Sequence, residues 1–321
     1  MKSLIKAVLS IVMLVLVLRV LDFEALEKTF ATIPLSVTVL AILGYSLSQV
    51  VNCSKWWIIA RSGGIEIPFL LALRAMFVGM FANCFGFGTV GGDILRGVIA
   101  SQGRPQKTAA IASVFADRAL GLAVLSLIGV LATAFVGGHH MQPVFVYVLC
   151  AVSTLVFVGW LVGPFLVLRF VPKGAPFRNK VEQLMRVFPK KPGTIILVVA
   201  ISAVFHLFQI SLIYFICLQL GIVVRFASML VSIPFVNIIS TLPISWNGLG
   251  VRENAYIFFL YPEVFSKEQA VAVGAIWLLG ITVSSLIGGF VAVWTGDFKL
   301  VFRKSASVEP DEAKLGSESS A

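Results

Sequence analysis

Two glycine-led stretches carry much of the charge that lies against apolar sequence. GGDILRG at 91–97 contains Asp93 and Arg96, and NGLGVRE at 247–253 contains Arg252 and Glu253. Asp93 and Arg96 stand three apart, within reach of an i, i+3 ion pair on a helix. The glycines before them, Gly91 and Gly92, let backbone amides approach a ligand, and a helix N-terminus there favours a phosphate. Gly248 and Gly250 repeat the arrangement ahead of Arg252 and Glu253. Arginine suits phosphate because its planar fork holds two oxygens at once and stays charged in a low-dielectric groove. The competing role is structural, with Arg96 neutralising Asp93 and Arg252 neutralising Glu253.

Asp117 and Arg118 follow AAIASVFA. Adjacent helical side chains point about 100° apart, so the two do not simply neutralise one another. If their span begins near Thr108 they sit about two and a half turns deep; if it begins at Ala119 they are interfacial anchors. A charged side chain at a helix centre costs about 2.5–3.5 kcal/mol on insertion scales, so a buried one needs a partner or a purpose. Gln49, Asn52, Asn83, His206, Gln209, Asn237 and Asn247 would line a cavity beside these charges. Each alone also reads as hydrogen-bonding between helices, and the Ser284/Gly288 and Ser285/Gly289 pairs read as packing.

Other chemistry finds no carrier. His139 and His140 are adjacent and His206 stands alone, so no metal site is expected. The four cysteines, Cys53, Cys84, Cys150 and Cys217, lie in or beside apolar runs without CxxC spacing, as buried free thiols do. There is no Walker loop, GxSxG elbow, HExxH or Asp-rich motif. No enzymatic activity and no cofactor are expected.

The elements that position these residues must lie in lipid. Apolar residues make up 59% of the 321 positions and charged ones 12%, about half the usual share for a soluble surface, and the mean hydropathy is +0.99. The net charge of +10 falls between apolar runs, where orientation signals sit, and forms no stripe for nucleic acid. Runs near 4–21, 34–60, 109–136, 143–168, 194–221 and 269–294 are long enough to cross about 30 Å of hydrocarbon. The first, after Lys2 and Lys6, lacks a small-residue cleavage site and reads as an uncleaved span.

Two further runs, 69–90 and 226–246, are interrupted, the first at CFGFGTVGGD and the second at Pro234 and LPISWNGLG. Inside a membrane such backbone is tolerated only where protein or a water-filled cavity shields it. Lys55, Arg61 and Arg74 on one side of 69–90, and Arg96, Arg104 and Lys107 in a 91–107 loop on the other, put both its ends in the cytoplasm. That makes it a re-entrant hairpin. Segment 226–246 would re-enter from outside. Each interrupted run has a Met, an Asn seven or eight residues later (Asn83, Asn237), then Gly-x-x-x-Arg, which suggests an inverted repeat of the kind that builds midplane sites in transporters. Chance similarity between apolar sequences is the other explanation.

The expectation is an all-α integral membrane protein, with about six full transmembrane helices, two re-entrant broken-helix hairpins and both termini cytoplasmic. Residues 1–300 form the membrane domain and 301–321 a disordered tail. The 169–193 segment, with seven basic residues against Glu182, marks the cytoplasmic face and should bind anionic lipid.

GGDILRG, SVFADRALGL at 113–122 and LPISWNGLGVRE at 242–253, in this order, resemble the lysylphosphatidylglycerol synthase transmembrane-region family, also described as flippase-like. The resemblance covers nearly all of residues 1–300. It marks Gly91, Gly92, Asp93, Arg96, Asp117, Arg118, Gly248, Gly250, Arg252 and Glu253 as signature positions. In the best-known members this region is fused to a domain that aminoacylates phosphatidylglycerol, and it is implicated in moving the product between leaflets. Residues 295–321 are too few to form that domain, so aminoacyl transfer is not expected. The resemblance implies a flippase of the bacterial inner membrane acting on an anionic (glyco)lipid. The alternative is a non-transporting subunit that recruits or regulates an envelope-biosynthesis enzyme. A membrane-embedded transferase is disfavoured for want of acid–base residues. The sequence leaves the lipid and the oligomeric state open.

Overall fold

The structure is a computed structural model that describes residues 33–85, 88–102, 106–137, 143–241, 250–261 and 264–302. The 4–21 run, Arg104, His139, His140, Asn247, Gly248 and the 303–321 tail lie outside the described residues. Those described form eleven helices: α1 (Leu35–Ser62), α2 (Phe69–Phe85), α3 (Gly88–Ala100), α4 (Lys107–Val136), α5 (Pro143–Phe170), α6 (Pro176–Val187), α7 (Pro192–Gln219), α8 (Phe226–Thr241), α9 (Val251–Leu260), α10 (Lys267–Thr295) and α11 (Phe298–Phe302). Five of them, α1, α4, α5, α7 and α10, are long and apolar enough to cross a membrane. They coincide with the five apolar runs that fall within the described residues. The chain is a multi-pass α-helical membrane protein.

Chain chemistry sets the helix ends. Ser266 caps α10, its Oγ accepting from the Gln269 amide at 3.2 Å while Gln269 Oε1 accepts from the Ser266 amide at 2.9 Å. Gly296, at φ 79°, stops the same helix in the left-handed conformation that glycine adopts without a side-chain clash. Pro234 was expected to help break its segment. Instead α8 runs through it to Thr241, with Gly129 of α4 leaving room for the ring.

Helices α2 and α3 form one helical hairpin and α8 and α9 a second. With 17, 13, 16 and 10 residues these arms are about 25, 20, 24 and 15 Å long, each short of the hydrocarbon thickness. The 91–107 stretch is therefore not simply a loop after the first interrupted run. GGDILRG lies in the returning arm α3, and GVRE opens the returning arm α9.

The first hairpin closes through glycine. A Cβ on Gly92 would collide with the Gly79 carbonyl and the Asn83 side chain, and one on Gly97 would stand 2.7 Å from Ile111 of α4. Asn83 Oδ1 accepts from the Gly92 amide at 2.9 Å, so that amide serves the hairpin, not a ligand.

The bases of the two hairpins lie at opposite ends of α10. Asp297, just beyond the C-terminus of α10, accepts from Arg74 near the start of α2 (2.7 Å) and from Gln102 beyond the end of α3 (3.3 Å). One carboxylate thus ties together both ends of the first hairpin. The second hairpin leads directly into the N-terminus of α10, with Ile222, Val224, Leu260 and Phe265 packed in a common core.

Packing repeats the chain order. α1, α2, α3 and α4 correspond to α7, α8, α9 and α10, with lengths of 28, 17, 13 and 30 residues against 28, 16, 10 and 29. α2 packs on α10 as α8 packs on α4; α3 packs on α4 as α9 packs on α10; α1 contacts α10 as α7 contacts α4. The pair that exchange into one another, α1 and α7, pack together. The sequence similarity noted above is thus matched by contacts that are unchanged when the two sets are swapped.

Helices α5 and α6 lie between the two sets in the chain. In α6, Arg178 caps α5: its Nη1 donates to the Leu168 and Val171 carbonyls at 2.8 and 2.6 Å, and its Nε to Glu182 at 2.8 Å. One of the seven basic residues of 169–193 is therefore committed to holding a helix end.

Candidate functional site

The polar residues of the bundle converge on one cavity of about 400 Å³, bounded by α1, α2, α3, α4, α7, α8, α9 and α10. Gln49, Asn52, Asn83, His206, Gln209 and Asn237 all line it, as do Asp93, Arg96, Asp117, Arg118 and Arg252. Residues spread over some 200 positions of sequence meet because each half supplies a short hairpin whose arms line the cavity.

The charges are not paired as sequence proximity suggests. Arg118 grips Asp93 with two hydrogen bonds, Nη2 to Oδ1 at 2.8 Å and Nε to Oδ2 at 3.0 Å. Arg96 turns to Asp117, Nη1 to Oδ2 at 3.3 Å. Both contacts join α3 to α4, so the i, i+3 pairing of Arg96 with Asp93 is replaced by two crossed pairs between helices. Asp117 is ten residues into α4, about 15 Å along its axis, and 1% exposed. Of the two positions open to it from sequence, it takes the deep one.

Lys55 completes the network. Its Nζ lies 3.2 Å from Asp117 Oδ1 and donates to the Asp117 carbonyl at 3.4 Å, with the side chain 2% exposed. Sequence reasoning counted Lys55 with Arg61 as a marker of the cytoplasmic side. The structure puts it inside α1, seven residues before the helix ends. The available signal was its place within the 34–60 apolar run, where a lysine needs a partner. The ring of Trp56 beside it faces the Arg96 guanidinium at 3.8 Å, and its Nε1 donates to Ser113 at 3.1 Å. His206 Nε2 stands 3.0 Å from the Gly121 carbonyl, which holds the imidazole at the same wall.

Glu253 departs from expectation. It is buried in α9 and its Oε2 accepts from the Gly250 amide at 2.8 Å, so it caps its own helix instead of pairing with Arg252. Gly250, at φ 76°, supplies the turn into α9. Gly91 lies inside α3 beside Gly92, and it is Gly92 that makes the close approach of the first hairpin.

Among the described residues, four cations and two carboxylates thus face one chamber inside a helical membrane protein. That defines a membrane protein with a charged internal site, the architecture of proteins that handle polar groups within a bilayer. The chain belongs to the family described as Lysylphosphatidylglycerol synthase TM region, which it matches over residues 3–289. Membership ties it to lipid handling in the membrane. No match to the chain is found among curated proteins.

Proposed function

We propose that the protein is a lipid transporter of the flippase type, carrying an anionic amphiphile between leaflets through the charged cavity. The observation that carries this reading is the excess of cations over carboxylates in a chamber within the bundle. Buried charge of one sign calls for an occupant of the other. Exposed residues of the cavity lining support a lipid over a freely soluble ion. Val90 and Phe115 line the cavity with Arg118 and are exposed, and the Arg118 side chain is 50% exposed about 16 Å along α4. A headgroup can lodge there while its acyl chains stay in the bilayer.

On this reading both hairpins are re-entrant, and they enter from opposite faces because their bases lie at opposite ends of α10. The two four-helix sets are then inverted repeats around a midplane site. The membrane is the bacterial inner membrane, both termini are cytoplasmic, and α6 rests on anionic headgroups of the cytoplasmic leaflet. The protein moves its substrate without covalent chemistry.

Leaflet-resolved lipid labelling in liposomes containing only this protein tests the reading. Labelled anionic lipid should cross faster than in protein-free vesicles. Folded protein that leaves the leaflet distribution at the protein-free rate would instead act as the non-transporting subunit.

A further inference from the structure

From the charge count of the cavity we propose that the occupant is a phosphate monoester, a headgroup carrying two negative charges at one phosphorus, and not a phosphodiester carrying one. This rests on the transport reading above and narrows its substrate class.

Lys55, Arg96, Arg118 and Arg252 bring four positive charges to the cavity wall, and Asp93 and Asp117 bring two negative ones. Both carboxylates are already ion-paired: each oxygen of Asp93 accepts from Arg118, Asp117 Oδ2 accepts from Arg96, and Asp117 Oδ1 lies 3.2 Å from Lys55 Nζ, close enough for an ion pair but without a hydrogen bond. Glu253 does not line the cavity, and its carboxylate answers the Gly250 amide and the positive end of α9. Among the described residues the cations that line the cavity therefore outnumber its carboxylates by two, and Arg252 has no carboxylate within ion-pair distance.

The leftover donors fit phosphate. Arg96 is 3% exposed, yet its Nε and Nη2 have no hydrogen-bond partner, and neither has Arg252 Nη1. Nε and Nη2 form the side-on fork of a guanidinium. It is the same edge with which Arg118 holds both oxygens of Asp93. A tetrahedral phosphate offers that fork two oxygens and leaves a third for another cation of the same cavity wall, of which Arg252 is the one without an ion pair. Buried donors without partners cost about 1–3 kcal/mol each, more when charged, so an occupant that satisfies several of them is strongly favoured. A diester keeps only two unsubstituted oxygens and one charge. It would leave one guanidinium unneutralised in a low-dielectric site.

The test uses the full chain in nanodiscs of zwitterionic lipid. Three probes are compared: fluorescent phosphatidic acid, phosphatidylglycerol with the same acyl chains, and inorganic phosphate as competitor. At pH 8, phosphatidic acid should bind about tenfold more tightly than phosphatidylglycerol, the least that one further desolvated ion pair supplies. The preference should shrink at pH 5, because the second ionisation of a phosphomonoester lies near pH 6. Arg252→Gln, on a half-buried residue outside the crossed pairs, should abolish the preference while the protein stays folded. Equal or tighter binding of phosphatidylglycerol overturns the monoester assignment and leaves the transport reading standing. A preference that persists in Arg252→Gln overturns the role given to Arg252. Inorganic phosphate competing as well as phosphatidic acid makes the occupant a soluble phosphate. If neither lipid binds or crosses, the transport reading itself fails.

Discussion

Asp117 is the residue on which the charged network turns, and Asp117→Asn isolates its charge with little change of shape. The carboxylate faces Lys55 at 3.2 Å and Arg96 at 3.3 Å, all three side chains being nearly inaccessible. At an effective dielectric of about 20, each contact is a gross attraction of roughly 5 kcal/mol, most of it offset by the desolvation of both ions. Removing one partner leaves that desolvation uncompensated. The expected loss for Asp117→Asn is therefore about 3–5 kcal/mol. Lys55→Met should cost less, about 1–3 kcal/mol, because Asp117 keeps Arg96 and loses one hydrogen-bond donor. The double variant should recover part of the sum, with a coupling of about 1–3 kcal/mol between contacting residues. Reversible unfolding by steric trapping in bicelles measures all three. A loss under about 1 kcal/mol for Asp117→Asn, the level of an exposed ion pair, or strict additivity in the double variant, would show that the network holds nothing together.

Gly92→Ala should lower the folded fraction after heating, by overpacking of about 1–3 kcal/mol or more, since its Cβ meets backbone that cannot move aside; Gly159→Ala, with open space around it, should be neutral. Size-exclusion recovery across a temperature series compares them, and equal behaviour would remove the close-approach account of the first hairpin. Single cysteines at Ser62 and Gln102, in a cysteine-free background, should label from the same face of the membrane. One at Val223, 96% exposed at the base of the second hairpin, should label from the other. Ser62 and Gln102 labelling from opposite faces would make the first hairpin a full crossing.

The sequence by itself determined the class of protein, the positions of the long helices and the two runs that are interrupted, though not the exact breaks: α8 runs through Pro234, and GGDILRG is helical. Those follow from local quantities: an apolar run of sufficient length, and glycine or proline that removes backbone hydrogen bonds. It also singled out the side chains that meet in the cavity, because a charge or amide inside apolar sequence is costly wherever the chain goes next. Partnership was decided only by tertiary structure. Asp93 and Arg96 are neighbours on one helix turn, yet each binds across to α4, because α3 packs there through Gly97 closely enough for their side chains to reach Arg118 and Asp117. Arg252 and Glu253 separate for a similar reason: the carboxylate finds the Gly250 amide at its own helix end. Lys55 shows the limit most plainly. A lysine near the end of an apolar run is equally consistent with a surface marker and a buried cation. Only the approach of α4, with Asp117 facing α1, placed it in the cavity wall.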